Sequence, residues 1–94
     1  MSTPITNDNI KTAVDLWVSD ESTAQNTYGN ISTWDTSGVY DMSYLFRHKS
    51  SFNEDIRGWN TSNVTNMHEM FYNASAFNQP IGNWNTSKVT TMSY

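Results

Sequence analysis

One short motif occurs three times in this chain, with 25 residues between the starts of successive copies. The copies are WDTSGVYDM at residues 34–42, WNTSNVTNM at 59–67 and WNTSKVTTM at 84–92. The interval falls within the range of roughly 20–50 residues that is typical of proteins in which similar units stack and each unit packs mainly against its neighbours. The periodicity therefore constrains the architecture of the chain far more than it constrains any activity.

The repeats align without gaps, and their apolar residues fall into columns. The columns are Ile31, Ile56 and Ile81; Trp34, Trp59 and Trp84; Val39, Val64 and Val89; Met42, Met67 and Met92; and, in the first two repeats, Phe52 and Phe77. We expect a single domain over residues 1–94. It would divide into an N-terminal cap at 1–30, repeat 1 at 31–55, repeat 2 at 56–80 and a partial repeat 3 at 81–94.

Each repeat is predicted to contain a short strand and a helical segment. Val64, Met67, Met70, Phe71 and Ala74 recur at steps of three and four, which favours a helix over residues 64–74. Residues 81–85 follow a turn-prone segment and carry Ile and Trp, so they and their equivalents suit a short parallel strand. The two roles could also be exchanged, with the Val-to-Met segment extended. Either arrangement gives an α/β solenoid.

The N-terminal cap is predicted to contain one amphipathic helix at about residues 7–18. Thr6 and the polar residues after it are typical of a helix start. Ile10, Ala13, Val14 and Trp17 then fall on one face of the helix. Residues 19–27 contain no apolar stripe, so no second helix is predicted there. We expect the apolar face to cover the first repeat, because stacked repeats leave their end faces apolar.

Composition narrows the classes of partner. The 94 residues carry nine acidic and five basic groups, a net charge of -4, which disfavours nucleic acid and anionic membrane surfaces. No apolar run approaches the length of a membrane span, so direct membrane insertion is not expected. The start of the chain lacks the pattern of a signal peptide, and the absence of cysteine indicates no compartment.

Residues 31–94 resemble a known type of repeat, because Trp, the Thr-Ser pair, Val, Met, an aromatic residue and Phe-Asn recur at its spacing. The segments 52–67 and 70–81 carry the match, which is to the leucine-rich-repeat-like units of BspA-type bacterial surface proteins and mycoplasmal lipoproteins. Repeat 1 departs from the pattern at Gly38, Tyr40 and residues 47–49. The resemblance implies a right-handed leucine-rich-repeat solenoid, an extracellular or cell-surface location, and adhesion or protein binding. It implies no specific site.

Three polar or aromatic columns are candidates for binding, and each has a structural explanation that we prefer. The tryptophan column could stack on sugars, but its phase with Ile and Val predicts core. Asp35, Asn60 and Asn85 could bind calcium, yet one oxygen-bearing side chain per turn is too few, so we expect side-chain to backbone hydrogen bonds. The Thr-Ser pairs could form an ice-binding face, although capping of turns explains them more simply. The pairs are residues 36–37, 61–62 and 86–87.

No catalytic, cofactor or metal site is predicted, and the chain is not expected to be an enzyme. His48 and His68 lie at different repeat phases without the other ligands of a zinc site. The basic run at residues 47–49 is short enough to be an ordinary solvated face. Five asparagines match the glycosylation acceptor pattern, which an Asn-Ser-Thr-rich repeat produces by itself. They are Asn30, Asn60, Asn63, Asn73 and Asn85.

The sequence leaves two functions open. The first is a protein-interaction or adhesion module, which would gather exposed aromatic residues on one face. The tyrosines that could do so are Tyr40, Tyr44, Tyr72 and Tyr94. The second is a structural spacer that self-associates, with ice binding as a minor variant. Because the third repeat stops at Tyr94, we expect either a piece of a longer repeat protein or dimerisation through residues 81–94.

Overall fold

A computed structural model describes residues 3–79, 81–82 and 84–90 of the chain. Its regular elements in these ranges are helix α1 (Ile10–Ser19), helix α2 (Glu21–Tyr28) and a 3₁₀-helix (Ile31–Thr33). Turns and irregular segments make up the described chain beyond these helices, and repeats 1 and 2 are joined by an isolated parallel bridge between Asp41 and Asn66. Within the described ranges, no helix is long and apolar enough to cross a membrane.

Helix α1 confirms the amphipathic helix that the sequence predicts, although it begins at Ile10 and not at residue 7. Residues Thr6 to Asn9 form a turn before the helix. In this turn the Thr6 hydroxyl accepts from the Asn9 N–H (3.2 Å), and the Asn9 side-chain oxygen accepts from the Thr6 N–H (2.7 Å). Reciprocal bonds of this kind satisfy donors that a helix start would otherwise leave unpaired. The predicted apolar face is buried, and it consists of Ile10, Ala13, Val14 and Trp17.

Helix α2 was not predicted, because Ala24 is its only buried residue. The positions of its two ends are set by capping residues and not by an apolar face. The Asp20 carboxylate accepts from the Thr23 backbone N–H (3.3 Å) and from the Thr23 hydroxyl (2.7 Å), which fixes the first turn. The helix ends before Gly29, whose φ of 83° suits glycine. Asp20 directly before the helix and Gly29 directly after it were the available sequence signals.

The predicted strand in each repeat is wrong, and with it the α/β solenoid of leucine-rich-repeat type. No strand and no sheet occurs in the part of the chain that the structure describes. At each predicted strand the tryptophan N–H instead donates to a carbonyl three residues earlier, which closes a turn. These bonds are Trp34 to Ile31 (3.3 Å), Trp59 to Ile56 (3.1 Å) and Trp84 to Ile81 (3.1 Å). An N–H used in this way cannot pair with a neighbouring strand.

The helix predicted over residues 64–74 is also absent, because the segment is a run of turns. In this run every second N–H closes a turn onto a carbonyl three residues back, as in Met70 to Met67 (3.2 Å), Tyr72 to Glu69 (3.2 Å) and Ala74 to Phe71 (3.0 Å). An α-helix would bond each N–H to the carbonyl four residues back. A spacing of three fits the same apolar pattern, so periodicity could not separate the two structures.

The intervening N–H groups of the equivalent run in repeat 1 bond to carbonyls of repeat 2. The bonds are Met42 to Asn66 (2.9 Å), Tyr44 to His68 (2.9 Å), Phe46 to Met70 (2.8 Å) and His48 to Tyr72 (2.8 Å). We call this set the inter-repeat ladder. It makes the backbone of repeat 1 depend on repeat 2 for its hydrogen bonds.

Left-handed residues recur at equivalent positions of the two turn runs. They are Tyr44 (φ 61°) and Glu69 (φ 50°), and His48 (φ 62°) and Asn73 (φ 62°). A right-handed helix cannot continue through such residues. These left-handed residues therefore explain why the inter-repeat ladder replaces helical hydrogen bonds here.

The core contains the apolar columns of the repeats, with equivalent aromatic rings stacked on one another. Ring centroids lie 6.1 Å apart for Trp34 and Trp59, and 5.4 Å apart for Phe46 and Phe71. Trp34 and Trp59 are only 5% and 3% exposed, which confirms their assignment to the core. The buried Trp59 indole N–H donates to the Ile31 carbonyl of the preceding repeat (2.8 Å).

The division into a cap and three repeats stays a prediction. Of the predicted C-terminal edge at 81–94, residue 83 and residues 91–94 lie outside the described residues, so Met92 and Tyr94 are among the positions without a structural account. Trp84, Ile81 and Val89 are half-buried against the core.

Candidate interaction surface

Two exposed tyrosines lie close to one arginine. Tyr44 and Tyr72 are 47% and 40% exposed. The Arg47 guanidinium carbon lies 5.8 Å from the Tyr44 ring centroid and 5.6 Å from that of Tyr72. The Lys11 ammonium from α1 lies 5.8 Å from the Tyr44 centroid. These distances are those of cation–π contacts, each of which contributes about 0.5–1 kcal/mol at an exposed site.

The turn runs of repeats 1 and 2 position this group. Tyr44 and Glu69 occupy equivalent positions, as do Arg47 and Tyr72, so each repeat supplies one tyrosine and one charge. The Arg47 Nε donates to Glu69 Oε1 across the repeats at 2.8 Å. We call the set the tyrosine–arginine patch; its members are Lys11, Tyr44, Arg47, His68, Glu69 and Tyr72.

Both histidines pack against patch tyrosines. The His68 ring meets Tyr44 edge-on at 5.4 Å, and its Nε2 lies 3.3 Å from Glu69 Oε2. His48 meets Tyr72 at 5.5 Å, and its Nδ1 lies 3.1 Å from the Asn73 side-chain nitrogen. No group of three or more His, Cys, Asp or Glu side chains able to hold a metal is found among the residues described.

The expected gathering of tyrosines is thus seen for Tyr44 and Tyr72. Tyr40 is the most exposed tyrosine of the described chain at 57%, but it is not part of the patch. Tyr94 lies outside the described residues. The sequence analysis missed Arg47, which it assigned to an ordinary solvated face, and Lys11, because contacts between α1 and repeat 1 cannot be read from the repeat pattern.

Comparison with protein families identifies a match over residues 9–94, to the family described as "Mycoplasma protein of unknown function, DUF285". The chain belongs to this family. The match covers both helices and every described residue of the repeats. Searches of curated proteins and of solved structures found no match. Membership in DUF285 assigns no activity, so any function must be argued from the residues.

The Asx column of this DUF285 chain holds turns by side-chain to backbone hydrogen bonds, as predicted. Asp35, Asn60 and Asn85 each accept the N–H two residues later, at 3.0, 2.9 and 3.0 Å. Hydrogen bonds from the Ser37 hydroxyl, and then from its N–H, lower the pKa of Asp35. Capping of turns also explains why the glycosylation pattern recurs, because Asn30, Asn60 and Asn85 each accept from the serine of their own Asn-x-Ser motif.

A second Asx column escaped the sequence analysis. Asp41 and Asn66 accept the N–H groups of Ser43 and His68, both at 2.9 Å. Burial raises the pKa of Asp41, but hydrogen bonds from Ser43 and the positive charge of Lys11 outweigh it, and the net shift is downward. The recurrence of an Asx residue at this position of repeats 1 and 2 was the signal that could have revealed the column.

The threonine column links one repeat to the next. Thr36 and Thr61 are each only 1% exposed, and their hydroxyls donate to the carbonyls of Asn60 (2.9 Å) and Asn85 (3.0 Å). Buried hydroxyls that already donate to the backbone cannot order water at a surface. Thr36 and Thr61 therefore lend no support to an ice-binding face, and their hydrogen bonds fit the structural explanation.

Proposed function

We propose that this DUF285 domain is a non-enzymatic protein-interaction or adhesion module, and that the tyrosine–arginine patch is its binding surface. The observation that carries the proposal is the exposure of Tyr44 and Tyr72 together with the contact that each ring makes with Arg47. Tyrosine and arginine are enriched among the residues that dominate the energy of protein interfaces. No catalytic group, cofactor or metal enters the proposal.

The order already present in the patch supports this function. Arg47 contacts two rings and the Glu69 carboxylate, and the Lys11 ammonium lies 5.8 Å from the centroid of the Tyr44 ring. A surface that is ordered before binding loses less side-chain entropy when a partner arrives. Because carboxylates lie near both cations of the patch, Asp41 near Lys11 and Glu69 at Arg47, we expect the exposed rings to contribute most of the binding and the partner surface to carry aromatic or apolar groups.

An extracellular or cell-surface location is also a proposal. It is supported by the resemblance of residues 52–67 and 70–81 to BspA-type surface proteins and mycoplasmal lipoproteins, proteins for which adhesion is the usual assignment. The net charge of -4 supports a protein partner over nucleic acid.

The patch can be tested with peptides selected on the protein itself. A phage-displayed library of random dodecapeptides would be panned on the immobilised chain, and selected peptides would be measured by calorimetry. We expect the double variant Tyr44→Ser/Tyr72→Ser to weaken binding about tenfold or more, because truncated hot-spot residues commonly cost that much. Tyr40→Ser is the matched control, since Tyr40 is exposed but outside the patch. Equal binding to all three proteins would rule out the patch.

The alternative is a structural segment that self-associates through residues 81–94. One observation favours it: Ile81, Trp84 and Val89 are half-buried, whereas their equivalents Ile56, Trp59 and Val64 are at most 3% exposed. Partly exposed apolar side chains are stabilised when another surface covers them. Analytical ultracentrifugation would show a concentration-dependent dimer that Trp84→Gln weakens. A monomer at all concentrations would exclude this alternative.

A further inference from the structure

The aromatic rings of repeat 2 are less covered than the equivalent rings of repeat 1. Phe46 and Phe52 of repeat 1 are 0% and 3% exposed, and Phe71 and Phe77 of repeat 2 stack on them with ring centroids 5.4 and 5.9 Å apart. Phe71 and Phe77 are themselves only half-buried. Partly exposed rings of this kind are stabilised when another apolar surface covers them.

The same side of repeat 2 carries two backbone donors without an acceptor. In repeat 1 the N–H groups of Phe46 and His48 donate to carbonyls of repeat 2, as part of the inter-repeat ladder. The equivalent donors of repeat 2 belong to Phe71 and Asn73, and neither N–H group makes a hydrogen bond within the described part of the chain. We call Phe71, Asn73 and Phe77 the open face of repeat 2.

The contact between repeats 1 and 2 shows what fits such a face. There, repeat 2 presents the carbonyls of Met70 and Tyr72 to the donors, and the rings of Phe71 and Phe77 to the aromatic side chains. The segment that does this has the sequence MFYNASAFNQ at residues 70–79, which contains no charged side chain. A matching partner segment therefore combines alternate free carbonyls with two aromatic residues six positions apart.

A second copy of the chain is not suited to supply this segment. The donors of the ladder all belong to repeat 1 and the acceptors to repeat 2, so two open faces brought together would oppose N–H to N–H. The ladder carbonyls of repeat 2 are already used within each copy. At the other end of a copy, Asn7 and α1 take the place of a preceding repeat and cover repeat 1.

We infer that the open face of repeat 2 binds a turn run supplied by another protein. The bound segment would offer carbonyls to the N–H groups of Phe71 and Asn73 and aromatic side chains to Phe71 and Phe77. It would extend the inter-repeat ladder by one unit, in the way that peptides add to exposed backbone edges. The open face shares no residue with the tyrosine–arginine patch and does not depend on it.

The test is an NMR titration of the isotope-labelled chain with acetyl-MFYNASAFNQKK-amide, in which two lysines are added for solubility. In the free chain the amides of Phe71 and Asn73 should exchange with solvent about tenfold faster, or more, than those of Phe46 and His48. The peptide should shift and protect the Phe71 and Asn73 amides, with a Kd in the submillimolar to millimolar range. No shift, or shifts confined to other residues, would overturn the inference.

A peptide variant tests the rings without altering the chain. Replacing both phenylalanines of the peptide by serine should raise the Kd about tenfold or more, because the apolar contacts are lost. A peptide of the same composition in scrambled order should bind as weakly as the serine peptide. If the serine or the scrambled peptide bound as well as the original, the match to the repeat pattern would be refuted.

Chain variants locate the site. Phe77→Ser should raise the Kd of the original peptide about fivefold or more. Tyr44→Ser changes the patch alone and should bind this peptide like the wild type, so that failure of the open face and failure of the patch can be told apart. If Phe77→Ser does not fold, the peptide variants decide the question. Protection of the Phe71 and Asn73 amides that rises with protein concentration, without peptide, would assign the face to a second copy and overturn the inference.

Discussion

The N-terminal helices and the repeats satisfy their backbone N–H groups in different ways. In α1 and α2 the partners are local, as where the Ala13 N–H donates to the Asn9 carbonyl (2.8 Å) and the Gly29 N–H to the Gln25 carbonyl (2.9 Å). In the turn runs every second N–H of repeat 1 depends on repeat 2, through the inter-repeat ladder. The helical hydrogen bonds thus lie within each helix, whereas every second N–H in the turn run of repeat 1 requires a carbonyl of repeat 2.

The two regions meet through polar as well as apolar contacts. The Asn7 side-chain oxygen accepts from the N–H groups of Tyr40 (3.1 Å) and Asp41 (3.0 Å). In repeat 2 the equivalent of Tyr40 is Thr65, whose N–H donates to the Tyr40 carbonyl of the preceding repeat (2.9 Å). Asn7 therefore supplies the hydrogen-bond acceptor at this position of repeat 1, as the Tyr40 carbonyl of repeat 1 supplies it at the equivalent position of repeat 2. Trp17 adds an apolar contact by packing edge-on against Trp34.

The largest effect is expected from a change inside the repeats. Trp59→Ala removes a ring that stacks on Trp34 and an N–H that satisfies the buried Ile31 carbonyl. The loss should be about 3–5 kcal/mol, mainly from the lost side-chain packing, because the Ile31 carbonyl keeps its bond from the Trp34 N–H (3.3 Å), and it should unfold so small a domain. Circular dichroism with urea unfolding would measure it. Trp59→Phe, which keeps an aromatic ring, should lose much less; a folded, monodisperse Trp59→Ala protein would contradict the core assignment.

A change on the helix side of the contact should cost nearly as much. Trp17→Ala creates a cavity between α1 and repeat 1, and we expect a loss of about 3–5 kcal/mol in the free energy of unfolding. Thermal unfolding followed by far-ultraviolet circular dichroism would report it. The exposed neighbour Val18 provides the control, since Val18→Ala should change stability by less than about 0.5 kcal/mol. Unchanged cooperativity and midpoint in Trp17→Ala would show that α1 is not required by the repeats.

A smaller loss is expected when only the polar link is removed. Asn7→Ala leaves the N–H groups of Tyr40 and Asp41 without their shared acceptor, at a cost of about 1–2 kcal/mol. Asn7→Asp keeps an acceptor and should stay within about 0.5 kcal/mol of the wild type. Urea unfolding compares the three proteins. Equal stability of Asn7→Ala and wild type would mean that water replaces Asn7 at no cost.

The smallest effect concerns pH. Because hydrogen bonds from Ser37 lower the pKa of Asp35 below its ordinary value of 3.8, ionised Asp35 stabilises the folded state above that pH. This stabilisation is lost as the pH falls through the lower pKa of the folded state. Asp35→Asn introduces the residue found at Asn60 and Asn85, which keeps the acceptor and removes the titration. Urea unfolding at pH 6 and pH 3 should show a smaller loss for Asp35→Asn; equal losses would contradict the assignment.

Sequence reasoning predicted the features that depend on one residue column at a time. Trp34 and Trp59 in the core, the apolar face of α1 and the capping by Asp35 and Asn60 all follow from spacing and side-chain chemistry. It failed where the partner of a backbone group decides the structure. Apolar residues at intervals of three fit a helix and a run of turns equally well, and only the direction of the intervening N–H groups, set by left-handed residues such as Tyr44 and Glu69, separates them.

The patch could be predicted only in part for the same reason. Exposed tyrosines were expected on one face, but the pairing of Tyr44 with Arg47 and Tyr72 depends on how the turn runs of repeats 1 and 2 lie side by side. Lys11 lies near Tyr44 because α1 packs against repeat 1, and the repeat pattern contains no information about that packing.

Scalar couplings across hydrogen bonds test the inter-repeat ladder most directly. A long-range HNCO experiment on the isotope-labelled chain reports which carbonyl carbon accepts each N–H. The structure predicts couplings from the amide nitrogens of Tyr44, Phe46 and His48 to the carbonyl carbons of His68, Met70 and Tyr72. Couplings from Phe46 to Met42 and from His48 to Tyr44 would instead show a helix in repeat 1, and would contradict the account of repeats built from turns that bond to the next repeat.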